Sequence, residues 1–292
     1  MRTVLIVGCG DVAQRALEWL VKRFRVIAMI RDERHRVALR KLGIRPIVCD
    51  LDDRRALRRI AGLADYVIHT APPAPEGLGD LRTRRLVAAL ACRGALPRRL
   101  VYISTTGVYG DCDGAWVDET RPAAAQSPRA MRRVDAEGVL RAFGRRCAIS
   151  IGILRAPGIY AADRLPIERL RRGDPALRAE EDVHTNHIHA DDLARLMAVA
   201  LFRGGANRVW NACDDSDLKM GDYFDAVADR VGLPRPPRVD RAVLAERVSA
   251  MTLSFMRESR RLSNARLKRE LRVTLRYPDI HLGLAAVPRL DH

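Results

Sequence analysis

The chain has 292 residues, 48% hydrophobic and 30% charged, with a formal net charge of +16. That balance excludes a disordered chain and suits a globular one long enough to bury one large core or two modest ones. No apolar run approaches the roughly 20 residues that cross a bilayer. The strand-like TVLIV at positions 3–7 leaves no room for a cleavable signal, so a cytoplasmic chain without a membrane partner is expected.

Short apolar runs follow at 26–30, 46–49, 66–70, 100–104 and 148–154, separated by amphipathic stretches such as VAQRALEWLVKRF and LRTRRLVAALACRG. This alternation predicts right-handed βαβ units and an α/β, Rossmann-type doubly wound parallel sheet over residues 1–155. Beyond residue 155 helical stretches dominate (DDLARLMAVALF, GDYFDAVADRVG, DRAVLAERVSAM), with short strands near VHTNHIH and NRVWNAC. A smaller mixed C-terminal lobe is expected over 156–292, with some segments returning to the sheet.

The first run leads into VGCGDVAQ, where Gly8, Gly10 and Ala13 form G-x-G-x-x-A between a strand and a helix, with Asp11 and Val12 inside the motif. The first glycine permits the tight turn, the second lets a pyrophosphate approach the backbone, and the small third residue lets helix and strand pack closely. A dinucleotide is the expected cofactor. At the tip of the second run, Arg31 precedes Asp32. An arginine there can pair with a 2′-phosphate, so NADP is expected ahead of NAD, with Arg34 and Arg36 able to help; the bland alternative is a solvated basic turn.

The six cysteines (Cys9, Cys49, Cys92, Cys112, Cys147 and Cys213) form no CxxC pair, which fits reduced thiols better than a disulfide frame or zinc site. The basic charge raises nucleic-acid binding. Yet only four of the 52 basic residues are lysine, and the arginines are spread along the whole chain. There is no helix-turn-helix, zinc-finger or RNP pattern, and aromatics are 5%, so nucleic acid is not the expected partner.

At YVIHTAPP (66–73), LVYISTTGVYGD (100–111), WVDET (116–120), LRAPGIY (154–160), NHIHADDLA (186–194) and RLSNARLKRELRVTLRYPD (261–279) the chain resembles the short-chain dehydrogenase/reductase superfamily. The resemblance is closest to its extended and atypical NAD(P)-dependent epimerase/dehydratase-like branch, in the right order over nearly the whole length. It implies that Asp50 and Leu51 lie beside the adenine and that Thr70, Ala71 and Pro72 pass the central ribose region. It implies further that Thr105 is the catalytic hydroxyl and that Pro157, Gly158, Ile159 and Tyr160 skirt the nicotinamide and substrate. A homodimer through paired helices is a further implication.

The branch carries Tyr-x-x-x-Lys on the helix after the Ser/Thr strand, often with Glu four residues after the Lys. Counting back from Glu137 in SPRAMRRVDAE places Arg133 at the lysine and Arg129 at the tyrosine. Arg133 can still serve ribose hydroxyls. Arg129 is neither an acid nor a base near neutrality, but it can bind an anion or stabilise an oxyanion. Tyr109 and Tyr160 are the remaining tyrosine candidates, and Asp118 and Glu119 the loop carboxylates. His184, His187 and His189 with Asp191 and Asp192 have the look of a metal set; the resemblance favours helix capping and joining of the lobes, with no metal. Two functions stay open: an atypical NAD(P)-dependent oxidoreductase or epimerase-like enzyme acting on an unknown carbonyl, alcohol or sugar-nucleotide-type substrate, and a catalytically silent NAD(P)-binding redox sensor or regulator.

Overall fold

Seven parallel strands form the central sheet of the computed structural model, which describes residues 1–92, 94–248, 253 and 256–289. Their order is Arg208–Asn211, Ser150–Ala156, Arg99–Thr105, Tyr66–His69, Thr3–Val7, Arg25–Ile30 and Arg45–Val48. The chain runs outward from Thr3–Val7 in one direction, then returns to run outward in the other. The crevice between Thr3–Val7 and Tyr66–His69 is therefore the topological switch point, where open α/β sheets bind ligands.

The strand pattern follows from burial on both faces. Successive residues of Thr3–Val7 point to opposite sides. Val4 and Ile6 join one apolar cluster with Leu17, Leu20, Leu193 and Met197. Leu5 and Val7 join the other with Leu86, Leu90, Leu140 and Phe143. The 20-residue helix Pro128–Cys147 begins as its sequence implies, with the Ser127 hydroxyl accepting from the Ala130 amide and proline in the first turn.

Two parts of the C-terminal half return to the layers of the central sheet. NRVWNAC supplies the edge strand Arg208–Asn211, paired parallel to Ser150–Ala156. The helix Ala190–Ala200 packs beside Asp11–Arg15 and contributes to the first cluster. The expected division at residue 155 therefore runs through layers that both halves of the chain build. The rest of the smaller lobe gathers around Tyr160, Leu170, Tyr223, Phe224, Val227, Leu244, Ile280 and Leu284. Of DRAVLAERVSAM, Arg241–Arg247 is helical, while positions 249–251 lie outside the described residues, as do 290–292.

Candidate functional site

The turn after Thr3–Val7 is shaped by what a side chain at each glycine would meet. Gly8 has φ +89°, and a Cβ there would sit 2.6 Å from the Ala71 nitrogen. Thr70 and Ala71 both donate their amides to the Val7 carbonyl, at 2.9 and 3.0 Å, and the Thr70 hydroxyl donates to the Gly8 carbonyl. Gly10 differs: a Cβ there meets nothing within 4 Å. Its backbone faces a cleft of about 400 Å³ lined by Gly8, Gly10, Asp11, Val12, Ala13, Arg31, Asp32, Asp50, Leu51, Thr70, Ala71 and Pro72. These are the first twelve residues assigned to the cofactor from sequence, and the open space above Gly10 is what a pyrophosphate approaching the backbone needs.

At the far end of this cleft the two charges after Arg25–Ile30 separate. Asp32 accepts from the Arg34 amide at 2.9 Å and from Arg34 Nε at 2.7 Å. The Arg34 guanidinium thereby pulls its pKa down to about 2. Arg36 pairs with Glu33. Asp32 is thus committed to Arg34, and Arg31, exposed, lines the cleft.

A second cleft of about 760 Å³ opens between the strand ends and the smaller lobe. Thr105, at the end of Arg99–Thr105, lines it together with Arg129, Pro157, Gly158 and Ile159. The Thr105 hydroxyl accepts weakly from the Gly107 amide at 3.3 Å. The register of the helix Pro128–Cys147 follows from contacts one turn apart. Glu137 Oε1 accepts from Ser104 Oγ at 2.6 Å, and its carboxylate takes Arg155 Nε at 3.0 Å and Nη2 at 2.7 Å. One turn earlier, Arg133 Nη1 donates to the Tyr102 hydroxyl and the Ile103 carbonyl, both at 2.8 Å. One turn earlier again, Arg129 reaches the cleft. The three residues thus face successive positions of the strand end, with Arg133 at Tyr102 and Ile103 and Arg129 at the cleft. Arg133 lines neither cleft, and its Nη1 is held by the protein. Burial and the neighbouring Arg133 cation lower the pKa of Arg129, with Glu258 acting in the opposite sense.

The other candidates have structural partners. Tyr109 is fully buried and donates to Asn211 Oδ1 at 2.7 Å; Tyr160, 1% exposed, donates to the Asp279 carbonyl at 3.2 Å. Neither hydroxyl lines the cleft. Glu119 accepts from the Asn211 amide at 2.8 Å and lies 3.4 Å from Arg266, while Asp118 closes a turn with Thr120. His189 Nδ1 accepts from the Asp191 amide at 3.2 Å, so it caps Ala190–Ala200; Asp192 takes the Arg276 and Tyr277 amides at 2.9 and 2.8 Å. These bonds tie a strand, a helix and the C-terminal segment together. His184 sits 3.1 Å from Asp217, and among the described residues no group of three or more His, Cys, Asp or Glu is arranged to hold a metal. All six cysteines are free.

Sequence reasoning did not place two groups at this cleft, although His187 stood out in the histidine run. His187 and Tyr223 line the larger cleft from the smaller lobe, with ring centroids 4.1 Å apart. His187 is 5% exposed, burial pushes its pKa down to about 3, and its Nδ1 has no hydrogen-bond partner among the described residues. The cleft also carries Arg164, Arg169, Arg172, Arg247 and Arg260 beside Arg129, against only Asp174 and Glu258. Arg172 pairs with Asp174 and Arg260 with Glu258, which leaves a surplus of positive charge. The run AADRLPIERLRRG that supplies three of these arginines follows LRAPGIY directly, but its bases read no differently from those elsewhere.

The sequence of residues 8–203 matches the NAD(P)H-binding family. The chain belongs to that family. A functionally unknown conserved protein from Silicibacter pomeroyi is 31% identical, covering 98% of each chain with a TM-score of 0.82. UDP-glucose 4-epimerase from Thermotoga maritima, solved with UDP-glucose, shares the fold at 18% identity and a TM-score of 0.78, covering 97% of this chain and 96% of that one. Protein YeeZ of Escherichia coli K12 is 28% identical over 192 residues, which is 65% of this chain and 66% of that protein. This NAD(P)H-binding chain thus shares its Rossmann-like fold with solved epimerases and a dehydratase, two of them solved with NAD. The glycine turn and the space above Gly10 fit such a dinucleotide.

Proposed function

We propose that the protein is an atypical NAD(P)-dependent oxidoreductase, or an epimerase-like enzyme, acting on an anionic carbonyl or alcohol substrate. One observation carries this reading: a 760 Å³ cleft with a surplus of arginine adjoins the dinucleotide cleft and contains Thr105. A second chamber of that size beside the dinucleotide cleft suits a protein that also takes up a substrate.

The bound nicotinamide would supply or accept hydride. The Thr105 hydroxyl donates to the reacting oxygen and holds it in place. Arg129, always protonated near neutrality, stabilises negative charge on that oxygen or grips an anionic substituent. It does not shuttle the proton. His187 and Tyr223, with His184, are proton-bearing groups that the smaller lobe contributes to the cleft. Arg31, with Asp32 committed to Arg34, favours NADP over NAD.

The test is hydride transfer, followed by NADPH and NADH absorbance, across anionic aldehydes, ketones and sugar nucleotides. Turnover that is lost in Thr105→Ala, with cofactor affinity kept, supports the enzyme. The replacement of the usual tyrosine by Arg129 favours a second reading, a cofactor-binding sensor. Tight NAD(P)H binding without turnover across the whole panel would select it.

A further inference from the structure

We propose that Arg164 is a phosphate-gripping residue for the dinucleotide, reaching from the smaller lobe onto the cofactor's pyrophosphate above Gly10. The inference rests on placing the dinucleotide in the 400 Å³ cleft. Among the lining residues of the two main clefts, Arg164 alone belongs to both. It ends the short turn Ala162–Arg164, which follows the strand Gly158–Tyr160, and its Nη1 lies 2.8 Å from Asp11 Oδ2.

The charges explain why an arginine is needed there. Asp11 directly follows Gly10, so a pyrophosphate approaching the glycine backbone meets a carboxylate at its side. Two cations face that carboxylate, Arg15 at 3.1 Å and Arg164 at 2.8 Å. They are not equivalent. Arg15 is also bound to Asp163 through Nη2, at 2.7 and 2.8 Å, and to Asp191 through Nη1 at 2.9 Å, so its three nitrogens already serve three carboxylates. Those bonds pin the turn that carries Arg164. Arg164 has one side-chain hydrogen bond among the described residues, to Asp11, and its side chain is 36% exposed. Its remaining N–H groups are available to a planar, bidentate grip on phosphate oxygens, which suits guanidinium better than ammonium. Asp11 then acts as the resting partner and the phosphates as the bound one.

Dinucleotide affinity, read by fluorescence titration with NADH, NADPH and ADP-ribose, tests this without any turnover. Arg164→Ala should weaken all three by about tenfold or more, because all three carry the pyrophosphate. Arg164→Lys should recover part of the loss. The decisive comparison is the double variant Asp11→Asn with Arg164→Ala. A direct grip on phosphate predicts that the loss persists when the carboxylate is gone. Affinity restored to that of Asp11→Asn alone would mean that Arg164 merely neutralises Asp11, and would overturn the proposal. Unchanged affinity in Arg164→Ala would overturn it too. If the unaltered protein bound none of the three ligands, the dinucleotide reading of the cleft itself would fall. Thermal unfolding of each variant checks the fold, and Arg164→Gln, which keeps length without charge, should repeat the loss if the alanine variant folds poorly.

Discussion

Replacing Glu137 by alanine removes the acceptor at the centre of a buried polar cluster. Glu137 and Arg155 are each 4% exposed, and the carboxylate takes two arginine nitrogens at 3.0 and 2.7 Å and the Ser104 hydroxyl at 2.6 Å. The Arg155 guanidinium also lies over the Tyr109 ring, 4.7 Å from its centre, so it has no route to water. Glu137→Ala therefore strands a buried cation and a buried hydroxyl. Breaking one side of such a pair costs roughly 3–5 kcal/mol, against about 1 kcal/mol or less for a surface pair. Urea unfolding followed by circular dichroism, extrapolated linearly to water, measures the loss. Removing both charges, as Glu137→Leu with Arg155→Met, should recover much of it, because the stranded charge is the main penalty. A single-variant loss below about 1 kcal/mol would refute the claim that this pair is buried and obligatory. Since Ser104 precedes Thr105, the alanine variant should also loosen the strand end that presents the hydroxyl.

The two glycines should separate folding from binding. Gly8→Ala forces a Cβ to 2.6 Å from the Ala71 nitrogen at positive φ and should destabilise the protein measurably on melting, whereas Gly10→Ala meets no protein atom within 4 Å. The latter should melt normally yet weaken NAD(P)H binding roughly tenfold or more, because the methyl enters the space for the phosphates. Arg31→Ala should lower NADPH affinity by about tenfold or more and leave NADH nearly unchanged, on the strength of one charge-assisted pair; equal losses for both would remove the NADP preference. Asp214, 3% exposed with one oxygen unpartnered among the described residues, has its pKa pushed by burial from 3.8 to about 7. Its protonated form suits the folded state, so the stability this group contributes is full below about pH 4, declines as pH rises toward 7, and then levels off. Asp214→Asn should therefore gain on the order of 1–3 kcal/mol relative to the parent between pH 4 and pH 8. A difference between variant and parent that does not change with pH would contradict this.

The local patterns of the chain carried most of the fold and the cofactor cleft. Alternating apolar runs led to the parallel strands, and the glycine spacing led to the turn, because both depend on neighbours close in sequence. Ser127 and Pro128 marked the helix start for the same reason. The even spread of arginine along the chain hid which ones mattered. Arg133 stands where the lysine was expected, but the Tyr102 hydroxyl and Ile103 carbonyl hold its Nη1. Tyr109 and Tyr160 were open candidates until Asn211 and the Asp279 carbonyl were seen to take their hydroxyls. Arg164 and Tyr223 gave no signal, and His187 stood out only within a histidine run read as joining the lobes, since no local motif marks a residue that meets its site across the gap between lobes.

Local sequence carried a doubly wound sheet and a glycine turn of dinucleotide-binding pattern, and the resemblance led to the expectation of arginine where that branch keeps its tyrosine. The folded arrangement added that NRVWNAC completes the sheet and that the larger cleft is rich in arginine. It also decided that Asp11 rests against an arginine 153 residues away. Strands and turns are settled by short-range sterics and periodic burial. A site is settled by competition among partners that the chain brings together only once it has folded.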